Sequence, residues 1–422
     1  MKNIVVLLRN YKPYNSAIGI CMSNVIDILK KNAHIYVICE KTKINEENRE
    51  IIEGETVIRF LSRQSYFRKK NENKIESSEG FKKKWYFFML QMIRFAYNIK
   101  FLLSKHSIQT DLADCFFTAL ESIPDKIDMI VPTCMPVESL MAAHRYCSIH
   151  KEVFFLPVLF DKFADNGTLH RFTFNKKLKW KANQSIEYEA FSDIQCRKIL
   201  YVEAWENYLK QNYPQILKKI VLIEHPLLKP ITTDLNVNFE KDRINCVYTG
   251  TLTVAGRNPL AALEMIKRLH KINRRIKFHV YGSGDALPIV KRFTSEDRNV
   301  FELHGAVSSE KAHAAMKNAQ ILISIGNEDI TQTPSKIFEY MSCGKIIIHI
   351  AKKEEDPVLE VLRKYPLSLC FVEKKDKIQQ QVEEANDFIV KNLDTHVSYE
   401  KIREVFPTAL PEYTSNLIIS EC

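Results

Sequence analysis

The segment between residues 331 and 351 limits the possible folds most strongly, because it joins a loop, a short helix and a buried strand. Pro334 suits the first position of a helix, where its missing N–H has no helical partner, and Thr333 suits the capping position before it. Gly344 is expected to end the helix, and the apolar run over residues 345–351 predicts a buried strand. The segment therefore has the strand and helix alternation of an α/β protein.

Ser335, Lys336 and Glu339 share one face of the predicted helix, since they are three or four residues apart. Two interpretations are open for this face. The first turn of a helix has free N–H groups and a positive dipole end, so with Lys336 it suits a phosphate. The alternative is a capped surface helix with an ordinary lysine–glutamate pair.

The composition is that of a protein with two cores and reduced cysteines. The chain has 422 residues, 45% of them hydrophobic and 27% charged, and that length predicts two domains. Its ten cysteines are scattered without metal-ligand spacing, so we expect neither disulfides nor a metal site, and we expect a cytoplasmic location. The short apolar run at residues 4–8 predicts a first strand rather than a signal peptide.

Strands and helices alternate along most of the chain, which predicts doubly wound sheets. We expect an N-terminal domain over residues 1–225, a linker over 226–242, a C-terminal domain over 243–395, and terminal helices over 396–422 that return to the N-terminal domain. Residues 153–159 are predicted to form one strand.

Ligands bind beyond the carboxyl ends of strands in such sheets, so three polar residues of the N-terminal domain are candidates for the acceptor side of a site. They are Asn15, Ser16 and Asp161. For Asp161, capping of a turn is at least an equal interpretation.

Residues 62–110 interrupt the alternation with a basic and aromatic insertion. Eleven Lys or Arg and three Glu lie between residues 63 and 105, a local charge of +8. A polar loop is predicted over residues 68–80, followed by an aromatic helix whose polar side chains argue against a membrane span. The insertion fits contact with an anionic membrane surface, and the alternative is a helix buried in the domain with solvated lysines beside it.

Three predicted strands of the C-terminal half end in glycine loops before the helix at Pro334. These loops contain Gly250, Gly282 with Gly284, and Gly305. One such loop is common in turns, but three of them in one α/β domain, followed by the serine and lysine of a helix start, predict a nucleotide cleft.

The residues of this half resemble the donor-binding domain of retaining glycosyltransferases of the GT-B architecture, within glycosyltransferase family 4. The matching stretches are Tyr248-Thr-Gly-Thr-Leu252, Arg257-Asn-Pro259, Val280-Tyr-Gly-Ser-Gly284, His304-Gly-Ala-Val-Ser308 and Pro334-Ser-Lys-Ile-Phe-Glu-Tyr-Met-Ser-Cys-Gly-Lys345. The resemblance implies two Rossmann-like domains facing a cleft.

The resemblance also implies roles for individual residues. It implies that Arg257, Lys336 and Ser335 bind the donor diphosphate. It also implies that the backbone at Val307 contacts the base and that Glu339 binds the ribose hydroxyls. Lys336, Arg257 and Glu339 are the expected catalytic residues. The donor site is completed by Gly250, Thr251, Gly282, Gly284 and Thr333.

Two positions depart from the pattern of the family. Thr331 stands where relatives often have a glutamate that faces the transferred sugar, with Glu328 and Asp329 nearby. Thr251 stands where a basic residue is common, which leaves Arg257 as the expected phosphate contact. Both departures concern the identity of the donor sugar.

The sequence thus predicts a metal-independent retaining glycosyltransferase that uses a nucleotide-diphosphate sugar and no other cofactor. We expect the acceptor to be a glycan or a lipid-linked molecule in surface polysaccharide synthesis. We expect the protein to lie in the cytoplasm or on the inner face of the cell membrane, and to have no nucleic-acid partner. A sugar-nucleotide epimerase or phosphorylase of the same fold and a non-catalytic membrane-associated homologue are the alternatives.

Overall fold

The computed structural model describes residues 1–13, 16–166, 173–202, 206–328 and 334–422. The chain forms two compact units. The first contains residues 1–226 and 411–422, and the second contains residues 227–410. Most of the segment predicted as a linker, residues 227–242, thus lies in the second unit.

The first unit is built on two sheets. Their strands are β1 (Lys2–Leu8), β2 (Ala33–Glu40), β3 (Arg49–Ile52), β4 (Glu55–Phe60), β5 (Met129–Pro132), β6 (Phe154–Phe155), β7 (Val158–Leu159), β8 (Ile199–Val202) and β9 (Ile220–Ile223). One sheet has the order β3-β4-β2-β1-β5-β6, parallel except for β3, and the other has the order β7-β8-β9. The strand predicted over residues 153–159 is two strands, because Pro157 has no N–H to continue a ladder.

The described residues of this unit also form helices. They are α1 (Ala17–Leu29), α2 (Arg63–Glu76), α3 (Gly80–Leu103), α4 (Thr110–Glu121), α5 (Val137–Ile149), α6 (Thr173–Ser192), α7 (Glu206–Asn212) and, from the end of the chain, α15 (Pro411–Ser420). Helix α15 packs on α1, as predicted for the terminal helices, whereas residues 396–410 belong to the second unit.

The structure corrects the prediction for the basic insertion. Residues 68–80 were expected to be a mobile loop, but most of them belong to α2, whose first turn is capped by Ser62. The polar composition suggested disorder, but α2 packs along α3 in a helical hairpin. This packing stabilises the helical conformation of α2. The buried-helix interpretation of α3 is wrong for this chain, since Leu90 is its one buried residue.

The second unit contains one parallel sheet with helices on its faces. Its strands are β10 (Ile244–Thr251), β11 (Ile276–Ser283), β12 (Phe301–Gly305), β13 (Ile321–Ile325), β14 (Ile346–Ala351) and β15 (Ser368–Val372). Its helices are α8 (Leu260–Ile272), α9 (Leu287–Glu296), α10 (Ser309–Asn318), α11 (Lys336–Ser342), α12 (Pro357–Arg363), α13 (Ile378–Asn392) and α14 (Tyr399–Val405).

The strand order of this sheet is β12-β11-β10-β13-β14-β15. The chain moves outward from β10 to β12 and then crosses back to β13 on the other side of β10. That reversal is a topological switch point, where the connections after neighbouring strands diverge and leave a crevice. A core of isoleucine, valine and phenylalanine side chains holds β10, β11 and β13 in place.

None of the helices within the described residues is long and apolar enough to cross a membrane.

Candidate functional site

The loops after β10 and β11 lie against each other at the carboxyl edge of the second sheet. A Cβ atom on Gly282 would lie 2.1 Å from the carbonyl oxygen of Gly250, and one on Gly284 would lie 2.0 Å from that of Leu252. Gly284 also has a φ of +115°, which side chains rarely tolerate. Gly282 and Gly284 are therefore sites of close backbone approach at this edge, whereas a Cβ atom on Gly305 would meet nothing within 4 Å.

Arg257 lies at the switch point between β10 and β13. Its Nε donates to Oδ1 of Asn327 at 2.9 Å, which ties the loop after β10 to the loop after β13. The N–H of Glu328 donates to the carbonyl of Gly256 at 2.8 Å and closes the same connection. The guanidinium is thus held beside the loop of Gly250, at the place where a crevice is expected.

Lys336 and Glu339 form an ion pair on a half-buried face of α11. The Nζ of Lys336 donates to Oε2 of Glu339 at 2.7 Å. Nε2 of His313, on α10, lies 3.0 Å from the same oxygen. Burial opposes the ionised form of Glu339, but the hydrogen bond with His313 and the charge of Lys336 outweigh it, so the pKa of Glu339 is lowered.

Tyr340 connects α11 to the end of β10. Its hydroxyl is buried and accepts a hydrogen bond from the N–H of Thr249 at 2.8 Å. Because Thr249 directly precedes Gly250, this bond fixes the start of the first glycine loop relative to the helix that carries Lys336 and Glu339.

The helix α11 begins two residues later than the predicted start at Pro334. Ser335 precedes it in helical conformation, without a side-chain cap bond. The turn before it closes through bonds from Ile337 to Pro334 and from Phe338 to Ser335, three residues apart. A helix of seven residues has a weak dipole, so the positive charge here comes mainly from Lys336.

Two further predicted donor residues, Thr251 and Val307, lie on the same edge. Thr251 is exposed at the end of β10, and Val307 is half-buried in the loop between β12 and α10. Thr333, Thr331 and Asp329 lie outside the described residues. Glu328 is exposed, and its carbonyl accepts from Nζ of Lys353 at 2.8 Å.

The predicted acceptor-side residues belong to the first unit. Ser16 caps α1, where its hydroxyl accepts from the N–H of Gly19 at 3.1 Å. Asp161 is half-buried in the loop after β7, and Asn15 lies outside the described residues.

His313, Asn327 and Tyr340 also belong to this site, although no sequence pattern indicated them. His313 and Glu339 are 26 positions apart, and Arg257 and Asn327 are 70 apart. No local spacing indicates such contacts, because they form only when the loops and helices are brought to one edge of the sheet.

Most of the second unit matches a known protein family. Residues 243–381 match the family model described as glycosyl transferases group 1, about a third of the chain. Among curated proteins, no sequence matches the chain.

Solved structures resemble the chain over nearly its whole length. Sucrose-phosphate synthase from Thermosynechococcus elongatus matches with a TM-score of 0.59 and 10% identity, over 100% of this chain and 99% of that one. The trehalose-6-phosphate protein from E. coli bound with UDP-2-fluoro glucose matches with a TM-score of 0.62 and 9% identity, over 100% and 98%. WaaG, a glycosyltransferase involved in lipopolysaccharide biosynthesis, matches with a TM-score of 0.57 and 10% identity, over 98% and 99%.

These matches confirm the predicted fold of two Rossmann-like domains, the GT-B architecture. The family match covers most of the second unit, which therefore has the sequence features of a glycosyl transferases group 1 domain, as the resemblance implied.

We predict that Lys336→Ala weakens binding of a nucleoside diphosphate by about 10-fold to 100-fold, the usual worth of a hydrogen bond to a charged group. Binding of the nucleoside alone should change much less. Calorimetric titration with UDP, GDP and the matching nucleosides measures both. Lys317→Ala, which removes an exposed lysine from the last turn of α10, is the control. Equal affinities of the wild type and Lys336→Ala for every nucleoside diphosphate would show that Lys336 does not bind the diphosphate.

A second prediction concerns pH. The pKa of Glu339 is lowered, so its contribution to stability is present above the ordinary carboxyl pKa of about 4.3 and is lost as the pH falls through the lowered value. In His313→Ala the pKa of Glu339 rises towards the ordinary carboxyl value, so the variant should be less stable at neutral pH and should lose less stability as the pH falls below that value. Urea unfolding between about pH 7 and pH 3 measures this.

His313→Gln is the matched control, because its side-chain amide can still donate to Glu339. Superimposable stability profiles for the wild type and His313→Ala would show that His313 does not support the carboxylate.

Proposed function

We propose that this chain is a retaining glycosyltransferase that takes its sugar from a nucleotide-diphosphate donor. The observation that carries the proposal is the cluster of Lys336, Glu339 and His313 in a glycosyl transferases group 1 domain, beside the switch point that holds Arg257. Two cations and one ionised carboxylate are the groups that a diphosphate and a ribose require.

The carboxylate of Glu339 suits the ribose of the donor, and the cations Lys336 and Arg257 suit its diphosphate. An ionised Glu339 accepts hydrogen bonds from both ribose hydroxyls, and its lowered pKa keeps it ionised at neutral pH. When the ribose hydroxyls bind Glu339, its ion pair with Lys336 breaks, and the ammonium of Lys336 turns to the diphosphate. Arg257 approaches the same group from the first loop.

Catalysis then follows from stabilisation of the leaving group. As the bond between the sugar and the diphosphate breaks, its electron pair moves onto the terminal phosphate. Lys336 and Arg257 neutralise that developing charge, and fixed cations in a crevice do so without reorganisation. The oxygen of the acceptor hydroxyl bonds to the anomeric carbon on the face that the diphosphate leaves, and its proton passes to the departing phosphate oxygen. The configuration is therefore retained.

A glycan or a lipid-linked acceptor in surface polysaccharide synthesis is the proposed partner. Two observations support it. WaaG, which shares the fold, is involved in lipopolysaccharide biosynthesis. The hairpin of α2 and α3 also exposes an apolar face with a basic cluster beside it, which fits work at the inner face of a membrane.

The exposed face of α3 has large apolar side chains at intervals of three or four residues. They are Trp85, Phe88, Met92, Phe95 and Ile99, each at least 40% exposed. The opposite face, with Leu90, packs on α2, and Arg94 reaches Glu72 of that helix at 3.4 Å. The net charge of +8 over residues 63–105 complements anionic lipid, and aromatic side chains favour the interface between lipid and water.

The function is tested by incubating the protein with a panel of nucleotide-diphosphate sugars and measuring release of the nucleotide. We expect release with one donor, and loss of release in Glu339→Ala. No release and no nucleotide binding with any donor would overturn the proposal. Isomerised donor without acceptor, or dependence on free phosphate, would instead identify an epimerase or a phosphorylase.

Membrane contact has a separate test. Replacing Lys82, Lys83 and Lys84 by Gln should weaken sedimentation with vesicles rich in phosphatidylglycerol, because each lysine near an anionic surface contributes about 1 kcal/mol. Replacing the exposed Lys271, Lys291 and Lys317 of the second unit by Gln changes the net charge equally and is the control. Unchanged sedimentation of the first variant, or concentration-dependent dimers without vesicle binding, would contradict membrane contact.

A further inference from the structure

A cluster of metal-ligating side chains lies on β11 and β12, outside the residues assigned to the donor. His279 of β11 and both Glu302 and His304 of β12 bring their ligand atoms within 4.8 Å of one another. The sheet explains the grouping, because His279 lies opposite Glu302 on the neighbouring strand. A register shift after Val280 leaves His304 beside Tyr281, on which its ring stacks.

The distances suit a tetrahedral ion. Nδ1 of His279 lies 3.2 Å from Nε2 of His304 and 3.5 Å from a carboxylate oxygen of Glu302. Nε2 of His304 lies 3.7 Å from the other oxygen. Ligands bound at about 2.0–2.1 Å in a tetrahedral zinc site are about 3.3 Å apart. Small rotations of these side chains are therefore enough to place three donors around one ion.

We propose that His279, His304 and Glu302 form a binding site for a zinc-type transition-metal ion, with solvent as the fourth ligand. Two imidazoles and one carboxylate are a donor set that zinc uses where one position is left open. The site goes beyond the proposed glycosyl transfer and does not depend on it.

Neighbouring groups orient the two imidazoles. Nε2 of His279 lies 3.1 Å from Oδ1 of Asn245, so its proton points there and the lone pair of Nδ1 faces the cluster. A histidine ligand usually donates its second N–H to such an oxygen. The ring of His304 stacks on Tyr281 with centroids 4.0 Å apart. Binding of the ion requires the proton between the two imidazoles to leave Nε2 of His304 while Nδ1 of the same ring takes up a proton from solvent, so His304 binds as a neutral imidazole.

Lys277 is the group that competes with the ion. Its Nζ lies 3.1 Å from Glu302 and 2.5 Å from Glu240. Glu240 remains paired with the ammonium of Lys277. Glu302 can therefore turn from Lys277 to the ion without leaving the lysine unpaired. Glu302 and His304 are partly exposed, which gives the ion a path from solvent.

The position of the cluster means that a bound ion would cross-link two strands. His304 directly precedes Gly305, the last residue of β12, and β12 is the edge strand of its sheet. An ion there cross-links β12 to β11 at the base of the loop that contains Val307. We therefore expect the ion to stabilise the second unit.

Cobalt(II) is the probe, because tetrahedral Co²⁺ has strong visible absorption. Full-length protein treated with a chelator and then titrated with Co²⁺ should show one equivalent of tetrahedral binding. His304→Gln and Glu302→Gln should each weaken it by about 100-fold or more, since each loses a direct ligand, whereas a second-shell change costs about 10-fold to 100-fold. His34→Gln, at an exposed histidine of β2, is the control and should bind as the wild type does.

Thermal unfolding gives an independent measurement. Free Zn²⁺ at about 100 times its Kd should raise the Tm of the wild type by roughly 5–10 °C, and should not raise that of His304→Gln. No binding by the wild type, equal binding by His304→Gln, or thiolate-to-cobalt absorption that places the ion on cysteines would each overturn the proposal. His304→Gln alters a half-exposed side chain, so its folding in the absence of metal can be compared directly with the wild type.

Discussion

The parallel sheet of the second unit is the constraint on which the candidate site depends. All strands of a parallel sheet end at the same edge, and the reversal of strand order beside β10 opens that edge between β10 and β13. Loops from distant parts of the chain must then meet there. Gly282 and Gly284 allow this meeting, since a side chain at either position would overlap the backbone of the loop after β10.

The second constraint is the charge of Glu339. A largely buried carboxylate is costly unless cations or hydrogen bonds compensate it. Lys336 supplies the charge from the same helix, and His313 supplies a ring nitrogen from α10. Because the compensation comes from two helices, the carboxylate also fixes their relative position. The ion pair is thus a structural feature of the free protein as well as the group offered to a ribose, and the two interpretations of this helix face are compatible.

The sequence predicted the fold class and most strands, because apolar runs and glycine loops are local patterns. It failed where a distant contact decides the outcome. The polar composition of α2 suggested a loop, but packing along α3 makes it helical. His313 and Asn327 gave no local indication of their place beside Glu339 and Arg257, since both contacts depend on the arrangement of the whole sheet.

The metal-ligating cluster is a case in which a local pattern was present in the sequence. Ile276, Phe278 and Val280 of β11 point into the core, so the residues between them face the other side of the sheet. Glu302 and His304 alternate in the same way with the core residue Phe301 and with Leu303. Strands buried on both faces, such as β14, carry near-continuous apolar runs instead. Polar alternation on two adjacent strands of such a sheet therefore marks a face where ligand atoms can collect, even without the short motif spacing of a zinc finger.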